Sequence, residues 1–236
     1  MDTAPASRRA SPLTWAILLS MLAAAALFTL WPGIDLAVSA FFYCPEIADF
    51  VGDQSVLAVA MFRLVPYIST GIILFLAAVF IASFIAPPFR RRDWRIRSGF
   101  LLAALILGPG LAIDVAAKDH WGRARPSRIA EFGGAARFTP ALLPADQCEK
   151  NCSFVSGHAS AGFFAVSLGF LGGMAARRRW TLIGLVLGGL AGLGRIAQGG
   201  HFLSDVVFAF FITWWSAWLV WRIFRKLGWI TAAEEH

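Results

Sequence analysis

Charged residues are scarce in this chain of 236 residues. Only 15% of the residues are Asp, Glu, Lys or Arg, whereas 58% are hydrophobic, a balance too apolar for a soluble domain of this length. The formal net charge is +7, but the basic residues form short clusters between long apolar runs, a pattern of membrane topology rather than of nucleic-acid binding. The composition therefore predicts a protein of the lipid bilayer and no nucleic-acid partner.

The sequence also lacks a long linker, a low-complexity tail and a convincing internal repeat. We therefore expect a single all-α membrane domain over residues 1–236, with its motif-bearing core at about 98–222. A helix needs about 20 apolar residues to cross the hydrocarbon core of a bilayer. Six runs are candidate spans: 13–31, 64–86, 98–117, 157–176, 181–194 and 205–221.

The positions of Lys and Arg predict the orientation, because cytoplasmic loops next to membrane spans are enriched in these residues. Basic clusters fall on alternate connections, at 8–9, 90–97, 177–179 and 222–226. This alternation predicts six spans with both termini in the cytoplasm and the other connections on the outer side of the membrane. A cleaved signal peptide is an alternative reading of the first run, and it leaves the downstream topology unchanged.

Cysteines are few, and all three lie on predicted outer connections, where an oxidising compartment permits disulfides. Cys148 and Cys152 are close in sequence and are the favoured pair, with Cys44 left over. Three free thiols are the alternative. A zinc site is not expected, because nothing nearby completes a ligand set.

Ionisable residues collect at the outer ends of the predicted spans. Such groups are costly at membrane depth and usually mark a pathway or a site. Several cations around one small volume require an anion, and phosphate fits because guanidinium groups bind its oxygens as a fork. The residues concerned are Lys118, Arg123, Arg125, His158, Arg195, His201 and Asp205.

Two of these residues suit nucleophilic catalysis. His201 and Asp205 are four residues apart at the start of the last predicted span, so one helical turn places the carboxylate beside the imidazole. Asp205 would then hold one ring N–H and leave the other nitrogen free to attack phosphorus. Ser156 and Gly157 precede His158 at a predicted helix start, where free backbone N–H groups can bind an anion.

A metal site is the rival use of the same side chains, since two histidines and an aspartate can hold zinc or iron. The neighbouring cations Lys118, Arg125 and Arg195 would repel a divalent ion but would stabilise a transferring phosphoryl group. We therefore predict neither a metal nor another cofactor. A transporter or flippase for an anionic compound is the alternative from another class, but its site would lie near the midplane and not at one face.

Three ordered motifs resemble the type 2 phosphatidic acid phosphatase (PAP2) superfamily. Each has the internal spacing of the family and lies on the predicted outer face, and the six-span layout is similar over nearly the whole chain. The motifs are Lys118 with six residues before Arg125-Pro126, then Ser156-Gly157-His158, then Arg195 with five residues before His201 and three more before Asp205. Two positions depart from the family pattern, Val155 in place of proline and Gly194 in place of serine.

The resemblance implies a metal-independent lipid phosphatase that works in two steps. His201 would attack phosphorus to form a phosphohistidine, Asp205 would orient it, and His158 would protonate the leaving oxygen before water cleaves the intermediate. The residues implied in phosphate binding are Lys118, Arg125, Ser156, Gly157 and Arg195.

The stretches WGRARP and CSFVSGHAS look more like bacterial lipid A phosphatases than like soluble acid phosphatases. A lipid A-type phosphate, undecaprenyl pyrophosphate and phosphatidylglycerophosphate are the substrates that the resemblance implies. The resemblance also implies a bacterial inner-membrane enzyme whose active site faces the periplasm, with a phosphorylated membrane lipid as its partner.

Overall fold

The computed structural model describes residues 11–230, so the basic pair at 8–9 lies outside it. Apart from short 3₁₀ turns, eight helices follow one another along the described chain, with one pair of two-residue antiparallel strands, β1 (Tyr43–Cys44) and β2 (Asp49–Phe50), in the connection after residue 42. The helices are α1 (Pro12–Leu30), α2 (Gly33–Phe42), α3 (Val56–Ile85), α4 (Arg92–His120), α5 (Gly157–Phe163), α6 (Val166–Gly169), α7 (Met174–Ala197) and α8 (Leu203–Lys226). The all-α prediction is confirmed.

Five of these helices, α1, α3, α4, α7 and α8, are long and apolar enough to cross a membrane. They correspond to the first, second, third, fifth and sixth predicted spans. The fifth had the shortest predicted run, yet α7 extends over 24 residues because it includes the basic turn before position 181. The α4 helix is π-helical over Ile106–Ala117, around Pro109, whose missing N–H and bulky ring disturb regular α-helical hydrogen bonding.

The fourth predicted span, 157–176, is not one long α-helix, and it is not among the five described helices that are long enough to cross a membrane. It consists of α5 and α6, after which the chain bends before α7. On both sides of α6, between Ala165 and Gly172, several backbone bonds join residues three apart instead of four, which is the pattern of a 3₁₀-helix. Glycines at 162, 169, 172 and 173 reduce the α-helical propensity of this segment.

Small residues let this segment pack closely on α7. A Cβ added to Gly162 would collide with the backbone of Gly188, and one added to Gly184 would collide with Val166. Gly192 of α7 packs against Val206 of α8. Two backbones therefore approach at van der Waals distance, as small residues permit in a membrane.

The last helix is the centre of the bundle. In the most apolar stretch of each membrane-length helix, 67% of α8 is buried inside the protein, but only 11% of α3. Aromatic residues of α8, among them Phe208, Phe211 and Trp214, form the main core. The α3 helix instead presents exposed apolar side chains such as Leu57, Tyr67 and Ile85, which suits a lipid-facing position.

The long connection between α4 and α5 folds back over the start of α8. Backbone bonds join Cys152 to Lys118, Ser153 to Arg123 and Ser156 to Asp205. A disulfide links Cys148 to Cys152, which confirms the favoured pairing, and Cys44 is free. The connection therefore carries its polar residues to the end of the bundle where α7 meets α8.

Candidate active site

His201 lies in the tight turn between α7 and α8 and is only 2% exposed. The turn needs glycine twice, because Gly199 has a positive φ of 60° and a Cβ on Gly200 would collide with the guanidinium of Arg195. Arg195, near the end of α7, is therefore packed against the residue that precedes His201. The order Arg195, Gly199-Gly200, His201 thus places a buried cation beside the imidazole.

The ring of His201 is held by a backbone carbonyl. Its Nδ1 lies 2.7 Å from the carbonyl oxygen of Ser153, and because a carbonyl only accepts, Nδ1 carries the hydrogen. Burial is the largest influence on the pKa of His201 and lowers it to about 4, so the imidazole is neutral at pH 7. The remaining nitrogen, Nε2, then carries the lone pair that a nucleophile requires.

Asp205 does not make the direct hydrogen bond to His201 that its spacing predicts. Its Oδ2 is 3.7 Å from Nδ1 of His201, which is longer than a hydrogen bond. The same oxygen accepts the hydroxyl of Ser153 at 2.5 Å and the backbone N–H of Phe202 at 2.8 Å. Asp205 therefore acts on His201 through its charge and through Ser153, whose own carbonyl holds the ring.

Arg123 is the buried counter-ion of Asp205. Its Nη1 donates to Oδ1 of Asp205 at 2.6 Å, and its Nη2 donates to Asp35 at 2.8 Å. Its Nε donates to the carbonyl of Thr139, and its guanidinium lies 4.1 Å from the ring centre of Phe202. Sequence reasoning grouped Arg123 with the cations that face phosphate, but the structure turns it inward.

His158 is the second residue of α5, whose start is capped by the hydroxyl of Ser156. Its ring stacks on Phe62 of α3, with ring centres 5.0 Å apart and planes inclined by 21°, and its Nε2 is 3.1 Å from the Phe62 carbonyl oxygen. The guanidinium of Arg195 contacts the same aromatic ring, 4.4 Å from its centre. Phe62 therefore lies between the second histidine and the buried arginine, in a narrow crevice that Gly194 also lines.

The predicted phosphate-binding cations surround the two histidines. The Nζ of Lys118 forms an ion pair with Asp114 at 2.7 Å. The same amine lies against Gly157, where an added Cβ would collide with it. Arg125 donates to the carbonyl of Asn151 at 2.9 Å, and burial lowers its pKa. Arg195 donates to Gln198 at 2.6 Å.

One hydrogen-bond donor of the site is unsatisfied. The Nε–H of Arg195 is buried and has no hydrogen-bond partner within the part of the chain that the structure describes. Buried polar groups are otherwise almost always hydrogen-bonded, so an unsatisfied guanidinium nitrogen at this position suits an incoming anion. The charges of Arg125 and Arg195 act on both His158 and His201, and that of Lys118 also acts on His158.

All eight predicted site residues are thus brought to one end of the bundle, from the helices α4, α5, α7 and α8 and from the connections between them. Sequence reasoning missed Asp35, Phe62, Ser153 and Ser204. Of these, Asp35 had a usable signal, since it is a carboxylate within an apolar run, which marks a functional position in a membrane protein. Between residues 11 and 230, no group of three or more His, Cys, Asp and Glu is arranged to hold a metal ion.

The comparison with known families decides the classification. A sequence model of the PAP2 superfamily matches residues 97–229, more than half of the chain. The chain belongs to this superfamily. Membership makes it a hydrolase that acts on phosphoester bonds, and the superfamily match contains every predicted site residue.

Relatives with curated names extend the likeness of this PAP2 chain over its N-terminal helices. A lipid A 4'-phosphatase of Francisella tularensis subsp. novicida is 36% identical over 84% of this chain and 90% of its own length. Lipid A 4'-phosphatases of Rhizobium etli and Rhizobium leguminosarum are 31% and 30% identical, each over 94% of this chain and over 86% and 94% of their own lengths. No solved structure matches the chain significantly.

Proposed function

We propose that this PAP2 enzyme removes phosphate from a lipid A-type glycolipid at the periplasmic face of a bacterial inner membrane, through a phosphohistidine at His201. The observation that supports this proposal best is the buried, neutral imidazole of His201. Its Nδ1–H donates to the carbonyl of Ser153, and it lies beside the cations Arg125 and Arg195. The lipid A class is favoured over undecaprenyl pyrophosphate and phosphatidylglycerophosphate because the curated relatives are named lipid A 4'-phosphatases.

The first chemical step transfers the phosphoryl group to the enzyme. The Nε2 lone pair of His201 attacks phosphorus, an N–P bond forms, and the bond from phosphorus to the lipid oxygen breaks. A proton moves from His158 to that oxygen, so the lipid leaves as a neutral alcohol. Among the described residues beside these cations, the Ser156 hydroxyl caps α5, so we assign the phosphoryl group to His201.

The second step releases phosphate. Water attacks the phosphohistidine, the N–P bond breaks, and the attacking water returns a proton to His158. Inorganic phosphate leaves, and His201 regains its Nε2 lone pair with the hydrogen still on Nδ1. Each residue is thereby restored for another cycle.

The cations lower the barrier of both steps. Charge builds up on the equatorial oxygens of the phosphoryl group in the transition state, and fixed guanidinium groups stabilise it without having to reorganise. Arg195 offers its unused Nε–H, and Lys118 approaches the backbone of Gly157 beside the hydroxyl of Ser156. At Gly194 an added Cβ would meet nothing within 4 Å, so the missing serine leaves open space instead of a further phosphate contact.

The orientation proposal rests on six spans with both termini in the cytoplasm. Helical hydrogen bonds recur between residues 157 and 172, and a segment of that length rises roughly 24–32 Å at about 1.5–2.0 Å per residue, close to the thickness of the hydrocarbon core. The site occupies one end of the bundle. At the other end Arg92 donates to the carbonyl of Gly228, so that end collects the basic clusters typical of a cytoplasmic face.

Labelling of single cysteines in whole cells tests this orientation. In a Cys44→Ser background that keeps the disulfide, a cysteine at Glu131, in the exposed outer connection, is expected to react with a membrane-impermeant maleimide. A cysteine at Arg178, in the exposed basic turn of α7, should react only after the membrane is permeabilised. Labelling of position 178 in intact cells would contradict the proposed topology.

Phosphate release from purified lipids tests the substrate class. The protein in detergent micelles should release phosphate from bis-phosphorylated lipid A at least about ten times faster than from undecaprenyl pyrophosphate, phosphatidylglycerophosphate or phosphatidic acid, because discrimination of that size needs only 1–3 kcal/mol of differential binding. EDTA should leave the rate unchanged. Faster turnover of another lipid would reassign the substrate, and loss of activity to EDTA with recovery on zinc would replace the mechanism.

A further inference from the structure

The network behind His201 contains one cation and two anions. Arg123, Asp35 and Asp205 are each at most 1% exposed, and the guanidinium makes an ion pair with each carboxylate. Burial raises the pKa of Asp35 above its ordinary value, although the charge of Arg123 opposes this shift. Above that pKa both carboxylates are ionised, and the group has a net charge of minus one. Net charge matters here because no solvent screens these groups from their neighbours.

Asp35 is fixed as firmly as the other two members. The backbone N–H of Ser204 donates to its Oδ1 at 2.9 Å, and the Ser204 hydroxyl donates to its Oδ2 at 2.5 Å. The same hydroxyl accepts from Nη1 of Arg123 at 2.9 Å. Asp35 therefore docks α2 onto the first turn of α8, immediately after His201.

The charge of Asp35 has a consequence for Asp205. Without it, Arg123 would neutralise Asp205, and the pair beside His201 would have no net charge. With it, the guanidinium is shared between two carboxylates, and one negative charge stays uncompensated next to the imidazole. The other charges that act on His201 are those of Arg125 and Arg195, which are both positive.

A negative charge is needed when the phosphoryl group arrives. An imidazole that keeps hydrogen on Nδ1 and gains phosphorus on Nε2 is cationic. The arginines that bind phosphate oppose this cation, whereas a nearby uncompensated carboxylate favours it. The phosphate-binding cations and the buried anionic network thus act on the same ring with charges of opposite sign.

We propose that Asp35 is a positioning residue of the reaction, which pairs with Arg123 so that Asp205 keeps the negative charge that supports the phosphorylated His201. This inference rests on the proposed phosphohistidine mechanism. It assigns a role in the active site to α2, outside residues 97–229 that the superfamily model matches. Arg123 is, by the same reasoning, a structural counter-ion and not a ligand of the phosphate.

The acid limb of the pH profile tests the proposal, because His201 must be neutral to attack and activity falls as pH drops through its pKa. Asp35→Asn removes one negative charge and should move the limb about one unit to lower pH, with a plateau of kcat reduced about ten- to a hundredfold. Arg123→Gln leaves two negative charges and should move the limb to higher pH. The double variant restores a net charge of minus one, so its limb should return near that of the wild type.

If any two of these variants fold, the pH values of their acid limbs can be compared with the predicted order. Asp35→Glu, which keeps the charge but not the shape, should keep the wild-type limb, and Asp146→Asn, an exposed outer carboxylate outside the network, should change nothing. Single-turnover labelling of His201 from bis-phosphorylated lipid A is measured alongside, with folding followed by thermal unfolding. If the wild type carries label on His201 but the acid limbs of all folded variants lie at the same pH, the role of Asp35 is overturned. If the wild type carries no label, both the phosphohistidine and this inference are overturned.

Discussion

His201→Ala is expected to reduce phosphate release from lipid A by about 10⁴-fold or more, the loss typical of removing a nucleophile that acts within a catalytic unit. In the proposed mechanism the neutral imidazole, with its Nδ1–H on the Ser153 carbonyl, forms the covalent bond to phosphorus. Substrate with labelled phosphorus, quenched rapidly in alkali to preserve phosphohistidine, should leave label on the wild-type chain and none on the variant.

A matched control is available in the same part of the chain. His120, the exposed last residue of α4, is not among the site residues, and His120→Ala should keep both turnover and label. Thermal unfolding should show that the His201 variant is folded, since the lost contact to Ser153 is a single hydrogen bond of about 1 kcal/mol. Undiminished turnover by folded His201→Ala would rule out the mechanism.

His158→Ala is expected to reduce the turnover of lipid A by about 10²–10⁴-fold, the usual contribution of a general acid. The reason is that a lipid alkoxide is a poor leaving group unless it receives a proton. With nitrophenyl phosphate, whose leaving group departs without protonation, the same variant should lose far less activity. The measurement is kcat for both substrates, in the wild type and in His158→Ala.

The ratio of the two losses assigns the role. A large loss on the lipid and a small loss on nitrophenyl phosphate identify proton transfer, and His120→Ala again serves as the control. Equal losses on both substrates would mean that His158 binds or orients the phosphoryl group instead. Label on His201 should still form from nitrophenyl phosphate, which separates this role from that of the nucleophile.

The three motifs were readable from sequence because each is local. Lys118 with Arg125, Ser156 with His158, and Arg195 with His201 are each separated by a few residues, and the apolar runs around them predicted that their ends share one side of a membrane. The structure brings them together as expected. The disulfide between Cys148 and Cys152 was predictable for the same reason.

The partners of those motifs were not readable. The carbonyl of Ser153 holds His201, and a backbone carbonyl has no residue-type signature. Phe62 and Asp35 reach the site from α3 and α2, across 96 and 88 positions of sequence to His158 and Arg123. Contacts of this separation depend on how helices pack, which periodicity does not specify.

The division between sequence and tertiary structure is clearest at His201 and Asp205. Residue types and spacing by themselves determined a membrane-embedded bundle, the two histidines, the cations around them and the class of phosphate chemistry, because hydrophobic runs and motif spacing are properties of short segments. Only the tertiary structure decided that Ser153 and not Asp205 holds the ring, that Arg123 turns inward, and that Asp35 completes the charge balance. A four-residue spacing brings two side chains close, but whether they meet at 2.7 or 3.7 Å depends on which third group competes for the same atoms.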